Sequence, residues 1–102
     1  MSLRFLDEAA AELVAAIGHY AEENLELAID FDKAVDERLE MAAKMPGAGR
    51  LEPRAPERFE LRWYKIRRFP YALLIGTLHD ERVVVALAHE HRRPGYWRKR
   101  LE

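Results

Sequence analysis

The residues best equipped for chemistry sit near the C-terminus, in the run Ala88-His89-Glu90-His91-Arg92-Arg93-Pro94-Gly95-Tyr96-Trp97-Arg98-Lys99-Arg100. Arginines neutralise phosphates and aromatic rings stack on bases, so this interleaving suits single-stranded nucleic acid; the same residue types also anchor protein interfaces. If RNA were cut here, its own 2′-hydroxyl would be the nucleophile. The protein would then need only a base, an acid and cations around the phosphate. In that chemistry His91 is the candidate base or acid, Tyr96 a stacking or proton-transfer group, and Arg62, Arg92 and Arg93 the phosphate clamp.

Each of these residues also has a plain structural reading. His89 shares parity with Val83, Val85 and Leu87, which makes it first a hydrogen-bonded core histidine. Tyr96 and Trp97 can cap a core. Lys65, Arg67 and Arg68, before Phe69-Pro70, can form a solvated strand end where charge and Pro protect an edge from pairing. Other chemistry is narrowed by absence: one Ser (Ser2), one Thr (Thr77), no Cys and no Gln leave almost no side-chain nucleophile. His89 and His91 are two apart, but no third ligand stands at a usual spacing, so no metal is expected. No Gly-rich phosphate loop or dinucleotide fingerprint is present, and no cofactor is expected either.

The elements that must position the tail follow from hydrophobic period. Asp7 is read as an N-cap, followed by Ala10, Leu13, Ile17 and Tyr20 at helical spacing, which predicts a helix over 7–23 ending at Asn24. Gly18 inside it is costly unless the missing side chain lets a second helix approach. A second period runs through Leu27, Phe31, Val35, Leu39 and Ala42 to a stop at Met45-Pro46-Gly47, giving an antiparallel hairpin. Residues 46–57 carry three Pro and two Gly and read as a loop.

Beyond the loop the period changes to two, with Phe59, Leu61 and Trp63 alternating with Glu60, Arg62 and Tyr64. Residues 71–78 and 82–89 are apolar on both parities, as in strands covered on both faces, and His79-Asp80-Glu81 is the turn between them. Residues 3–6 can add a short strand, and Pro94 can open a terminal helical turn. The fold class expected is α+β: an N-terminal helical hairpin laid on one face of a small, mainly antiparallel sheet of three or four strands.

At 102 residues a single domain over 1–102 is expected. With 49% hydrophobic and 34% charged residues the composition is globular, and no apolar stretch is long enough to cross a bilayer. Acidic residues stand where a secretory signal needs an apolar core, so the cytoplasm is the expected location. The first three and last two residues are set aside as possible cloning remnants. The net charge of −1 conceals a split: residues 1–45 carry 4 basic and 11 acidic side chains, residues 46–102 carry 13 and 7. A basic half suits a polyanion or acidic partner, and equally a basic sheet balancing an acidic helical face.

Arg67-Arg68-Phe69-Pro70-Tyr71, an apolar hairpin, and then the run from Ala88 to Trp97 together resemble the C-terminal signature of RelE/ParE toxins, with the ParE-like branch slightly favoured. The resemblance covers nearly the whole chain, from Arg4 to Arg100. It implies the toxin of a type II toxin–antitoxin module of the plasmid-stabilisation kind, causing growth arrest and neutralised by a cognate antitoxin whose C-terminal segment wraps it. It also implies one of three activities. ParE-like members poison DNA gyrase; here the target-binding residues expected are Arg62, Arg92, Arg93, Tyr96, Trp97 and Arg98. RelE-like members are metal-free endoribonucleases acting on ribosome-bound mRNA, a role that falls on Arg67, His91, Arg92 and Tyr96. A degenerate member would bind only its antitoxin. A homodimer, or a heterotetramer with the antitoxin, is an expected assembly.

Overall fold

A computed structural model describes residues 3–56 and 58–102. Met1, Ser2 and Glu57 lie outside the described residues, and with them the lone serine, most of the N-terminal segment set aside above and the last residue of the expected loop. The order is β1 (Arg4–Phe5), α1 (Asp7–Glu23), α2 (Leu25–Lys44), β2 (Arg50–Leu51), β3 (Leu61–Lys65), β4 (Tyr71–Leu78) and β5 (Glu81–His89), with 3-10 turns at Pro46–Ala48 and Arg98–Leu101. The sheet runs β1-β5-β4-β3-β2, with β1 parallel to β5 and every other pair antiparallel.

The α+β architecture matches expectation, but the sheet has five strands rather than three or four. The extra pairing comes from inside the expected loop. Arg50 and Leu51 pair with Trp63 and Arg62, because a two-residue edge strand needs no hydrophobic period to form and left none in the sequence.

Asn24 both ends α1 and starts α2. Its N–H donates to the Tyr20 carbonyl, while its Oδ1 accepts from the N–H groups of Glu26 (2.8 Å) and Leu27 (3.3 Å). One capping residue thus satisfies groups at two helix ends and sets the hairpin. Asp7, expected as the cap of α1, is its first helical residue. Leu6 holds the cap position without a side-chain bond, and Asp7 and Glu8 instead favour the helix through its dipole. Gly18 faces solvent with nothing within 4 Å of where a side chain would start, so it is not a point of helix approach. The helices meet the sheet through small buried residues instead, Ala9, Ala16, Ala28 and Ala42 among them.

The sheet has a core on each face. On the helical face Phe31, Val35, Tyr64, Ile66, Leu73, Ile75, Val84 and Leu87 pack together, and Tyr20, Phe31, Phe69 and Tyr71 form an aromatic group with centroids 5.0–6.1 Å apart. On the opposite face Leu61, Leu74, Val83, Val85 and Ala86 pack under Trp97 and Leu101 of the C-terminal tail. That second cover explains why β4 and β5 are apolar on both parities.

Leu74 pairs with Ala86 and Ile75 with Val84, leaving Val85 as a β-bulge. Val85 and Ala86 therefore share the tail face, and the parity of β5 reverses beyond them. The expected grouping of His89 with Val83 and Val85 is corrected by this: His89 lies edge-on to Tyr71 at 5.2 Å, on the helical side with Leu87. The β4–β5 turn is two residues, His79 and Asp80, both with positive φ (52° and 66°), as a type I′ hairpin requires; Glu81 already belongs to β5.

Candidate functional site

The C-terminal tail begins where β5 ends. Beyond His89 the chain turns back, the Arg92 N–H donating to the His89 carbonyl and the His91 N–H to His89 Nδ1 at 3.1 Å. It then crosses the sheet and is pinned by Trp97, 1% exposed, and by Leu101.

A polar clamp beside this apolar anchor joins the tail to α1. Glu12 accepts from the Tyr96 hydroxyl (2.7 Å), from Arg100 Nη1 (2.8 Å) and Nη2 (3.0 Å), and from the Leu87 N–H (3.1 Å). Arg100 also donates to the Val85 carbonyl at 3.0 Å. β1 pairs only with Val83 and Val84, so this carboxylate and guanidinium occupy the rim of β5 beyond the point where β1 stops. Burial pushes the Glu12 carboxyl up, but the bonds from Arg100, Tyr96 and Leu87 outweigh it and hold the group below the ordinary carboxylate range. Burial, and then the bond to Glu12, push the Tyr96 hydroxyl far above its usual value. Tyr96 is further enclosed by the guanidiniums of Arg92 and Arg100, 3.9 and 5.0 Å from its ring centre.

Between this tail and β3 lies a cleft of about 420 Å³. Its cations are Arg50, Arg54, Lys65, Arg92 and Arg93; its carboxylates are Glu52 and Glu90. Glu52 is buried and committed, accepting from Trp63 Nε1 at 2.9 Å and from the Arg54 N–H, with the Arg54 guanidinium at 3.6 Å. The cleft therefore presents mainly positive charge to a ligand.

The sequence candidates separate in space. Arg92, Arg93 and Tyr96 line the cleft, with Trp97 as its buried floor. Arg98 is exposed in the terminal turn. His91 is exposed, its Nε2 3.8 Å from Glu90. Arg62 is half-buried and occupied, Nη1 donating to the Gly47 and Gly49 carbonyls and Nη2 to Glu60 at 3.1 Å. Arg67 lines a different groove, between α2 and the β3–β4 connection. The residues that sequence reasoning missed are Glu12 and Arg100, and Arg50 and Glu52 in the loop. Glu12 had a signal: it lies one turn from Ala9 and Ala16 on the apolar stripe of α1, where an unpaired carboxylate would be costly.

A family model described as the ParE toxin of the type II toxin–antitoxin system parDE matches residues 3–94. The chain belongs to the ParE toxin family. It is thus the toxin of a type II toxin–antitoxin pair, and the family implies an antitoxin as partner. No curated protein and no solved structure matches the chain. The ParE match stops at Pro94, so the anchor Trp97 and the clamp residues Tyr96 and Arg100 lie beyond it, while Glu12 lies within it. Among the described residues no helix is long and apolar enough to cross a membrane.

Proposed function

We propose that this toxin arrests growth by binding and poisoning DNA gyrase, using the exposed tail cations Arg92, Arg93 and Arg98, and that a cognate antitoxin neutralises it. The observation carrying this reading over RNA cleavage is the state of Tyr96. Its hydroxyl is donated to Glu12 and held far from a useful proton-transfer range, while Arg67 faces another groove and His91, with Glu90 and the His89 ring (centroids 5.2 Å apart) beside it, does not line the cleft. A surface of cations without an assembled acid–base pair suits binding. The antitoxin is assigned to the helical hairpin, where Val14, Leu25 and Ile29 are 71%, 69% and 47% exposed and offer apolar anchors to a segment that folds on binding.

One experiment tests both halves. Purified toxin is expected to inhibit supercoiling by gyrase and to leave mRNA on programmed ribosomes intact; antitoxin should restore supercoiling for the parent but not for Leu25→Asp. Cleaved mRNA with unimpaired gyrase would establish the ribonuclease reading instead. Restoration of Leu25→Asp equal to the parent's would move the antitoxin off the hairpin.

A further inference from the structure

The groove holding Arg67 belongs to a larger feature. It encloses about 340 Å³ and is lined by Arg38 of α2, Lys65 of β3, and Arg67 and Arg68 of the β3–β4 connection, with no carboxylate among its lining residues. Trp63 and Lys65 line both this groove and the tail cleft, so the two abut across the β3 end of the sheet. Together they form one cationic strip. Arg54 has Glu52 at 3.6 Å and Arg68 has Asp30 at 3.8 Å. Among the described residues Arg38, Arg50, Lys65, Arg67, Arg92 and Arg93 have no carboxylate within 4 Å, although the chain as a whole is acidic.

We propose that this strip binds the phosphodiester backbone of duplex DNA, independently of base sequence and of any protein target. Three features favour this ligand. Cations that outnumber acids over two adjoining grooves, with Glu52 already spent on Trp63 and Arg54, create a field that a polyanion neutralises by releasing its counterions. Among the described residues, none of the large exposed hydrophobic side chains, Val14, Leu25, Ile29, Met45 and Leu51, lines either groove, so an amphipathic acidic peptide finds its anchors elsewhere. Most aromatic rings along the grooves are also committed: Tyr64 and Trp97 are buried, Tyr71 packs on Tyr20 and Phe31, Tyr96 lies against two guanidiniums, and the half-buried Trp63 is held at its edge by Glu52. Single strands depend on stacking platforms, whereas a duplex offers backbone phosphates alone. The inference does not rest on gyrase being the target, because it is tested in gyrase's absence.

The test is fluorescence anisotropy of the full chain, freed of antitoxin, with a labelled duplex of about 20 base pairs across a salt series. About five phosphate contacts predict that affinity falls roughly 500-fold between 50 and 200 mM salt, and that two randomised sequences bind alike. Arg38→Ala with Arg67→Ala should lower the logarithmic salt slope by about 2 and weaken binding at low salt. Arg68 is left unchanged in this variant because its φ of 72° makes Ala there a backbone change as well. Arg67→Glu alone, at an exposed position, gives a second readout if the double variant is unstable. The proposal is overturned by no binding at 50 mM salt, or by a slope the variants leave unchanged. It is overturned equally by competition from polyglutamate as strong as from DNA, or by tighter binding of single-stranded RNA.

Discussion

Trp97→Ala is expected to destabilise the protein by about 3 to 5 kcal/mol, the cost of emptying a fully buried aromatic site. Trp97 is 1% exposed and fills the face of the sheet opposite the helices, over Leu61, Leu74, Val83, Val85 and Ala86. Without it, the tail loses the apolar weight that holds Arg92 and Arg93 at the cleft. At this chain length the loss corresponds to a fall in Tm of at least about 12 °C, read from a thermal melt. A melt like the parent's would mean that Trp97 belongs to an exposed surface and that the second core does not exist.

Glu12→Ala is expected to cost about 3 kcal/mol, because it leaves the Leu87 N–H without an acceptor and the half-buried Arg100 guanidinium without its counter-charge, with only the Val85 carbonyl remaining. The side chains of Glu12 and Arg100 are only 16% and 13% exposed, so solvent screens their interaction far less than that of a surface pair such as Arg4 with Glu81. The same bond set predicts a pH dependence. The folded carboxyl of Glu12 lies below its unfolded value, near 4.5, so its contribution is complete above that value and is lost as pH falls through the lower folded one. Asp36 is shifted the other way, raised by burial and by Asp32 and Glu40, so the parent alone cannot isolate Glu12. The comparison that does is Tm against pH for parent and variant: the gap should narrow below pH 4.5 and stay constant above it. A gap independent of pH would show that the clamp is not ionic.

Much of this fold was legible because hydrophobic period records which face of an element is covered. The apolar stripe of the helix over 7–23 follows from that period, and the strand over 71–78 and the two-sided burial of the central strands follow from an apolar run on both parities. Three features escaped for physical reasons. β2 is two residues long and both are exposed, so no burial pattern marks it, and beside it the approach to β3 needs Gly49, because a Cβ there would lie 2.8 Å from the Trp63 carbonyl and the Tyr64 ring. The bulge at Val85 inserts one apolar residue into an apolar run, which alternation cannot register, and it turned His89 to the other face. The clamp joins residues 88 positions apart, and only the charge on the apolar stripe of α1 hinted at one of its ends. Of the candidate site, the cations of the tail were legible as a cluster. That Arg62 is consumed by the loop carbonyls and that Arg67 faces another groove are matters of tertiary placement.

The most direct test of the account is growth after induction of the chain without antitoxin, set beside the Arg92→Ala, Arg93→Ala variant. Arg92 stacks on Tyr96 and both positions are exposed, so the variant should lose no more than about 1 kcal/mol and melt close to the parent. The parent is predicted to arrest growth and the variant to permit it. A variant that melts like the parent and remains fully toxic would contradict the assignment of the active surface to the tail and would move it to Lys65 and Arg67.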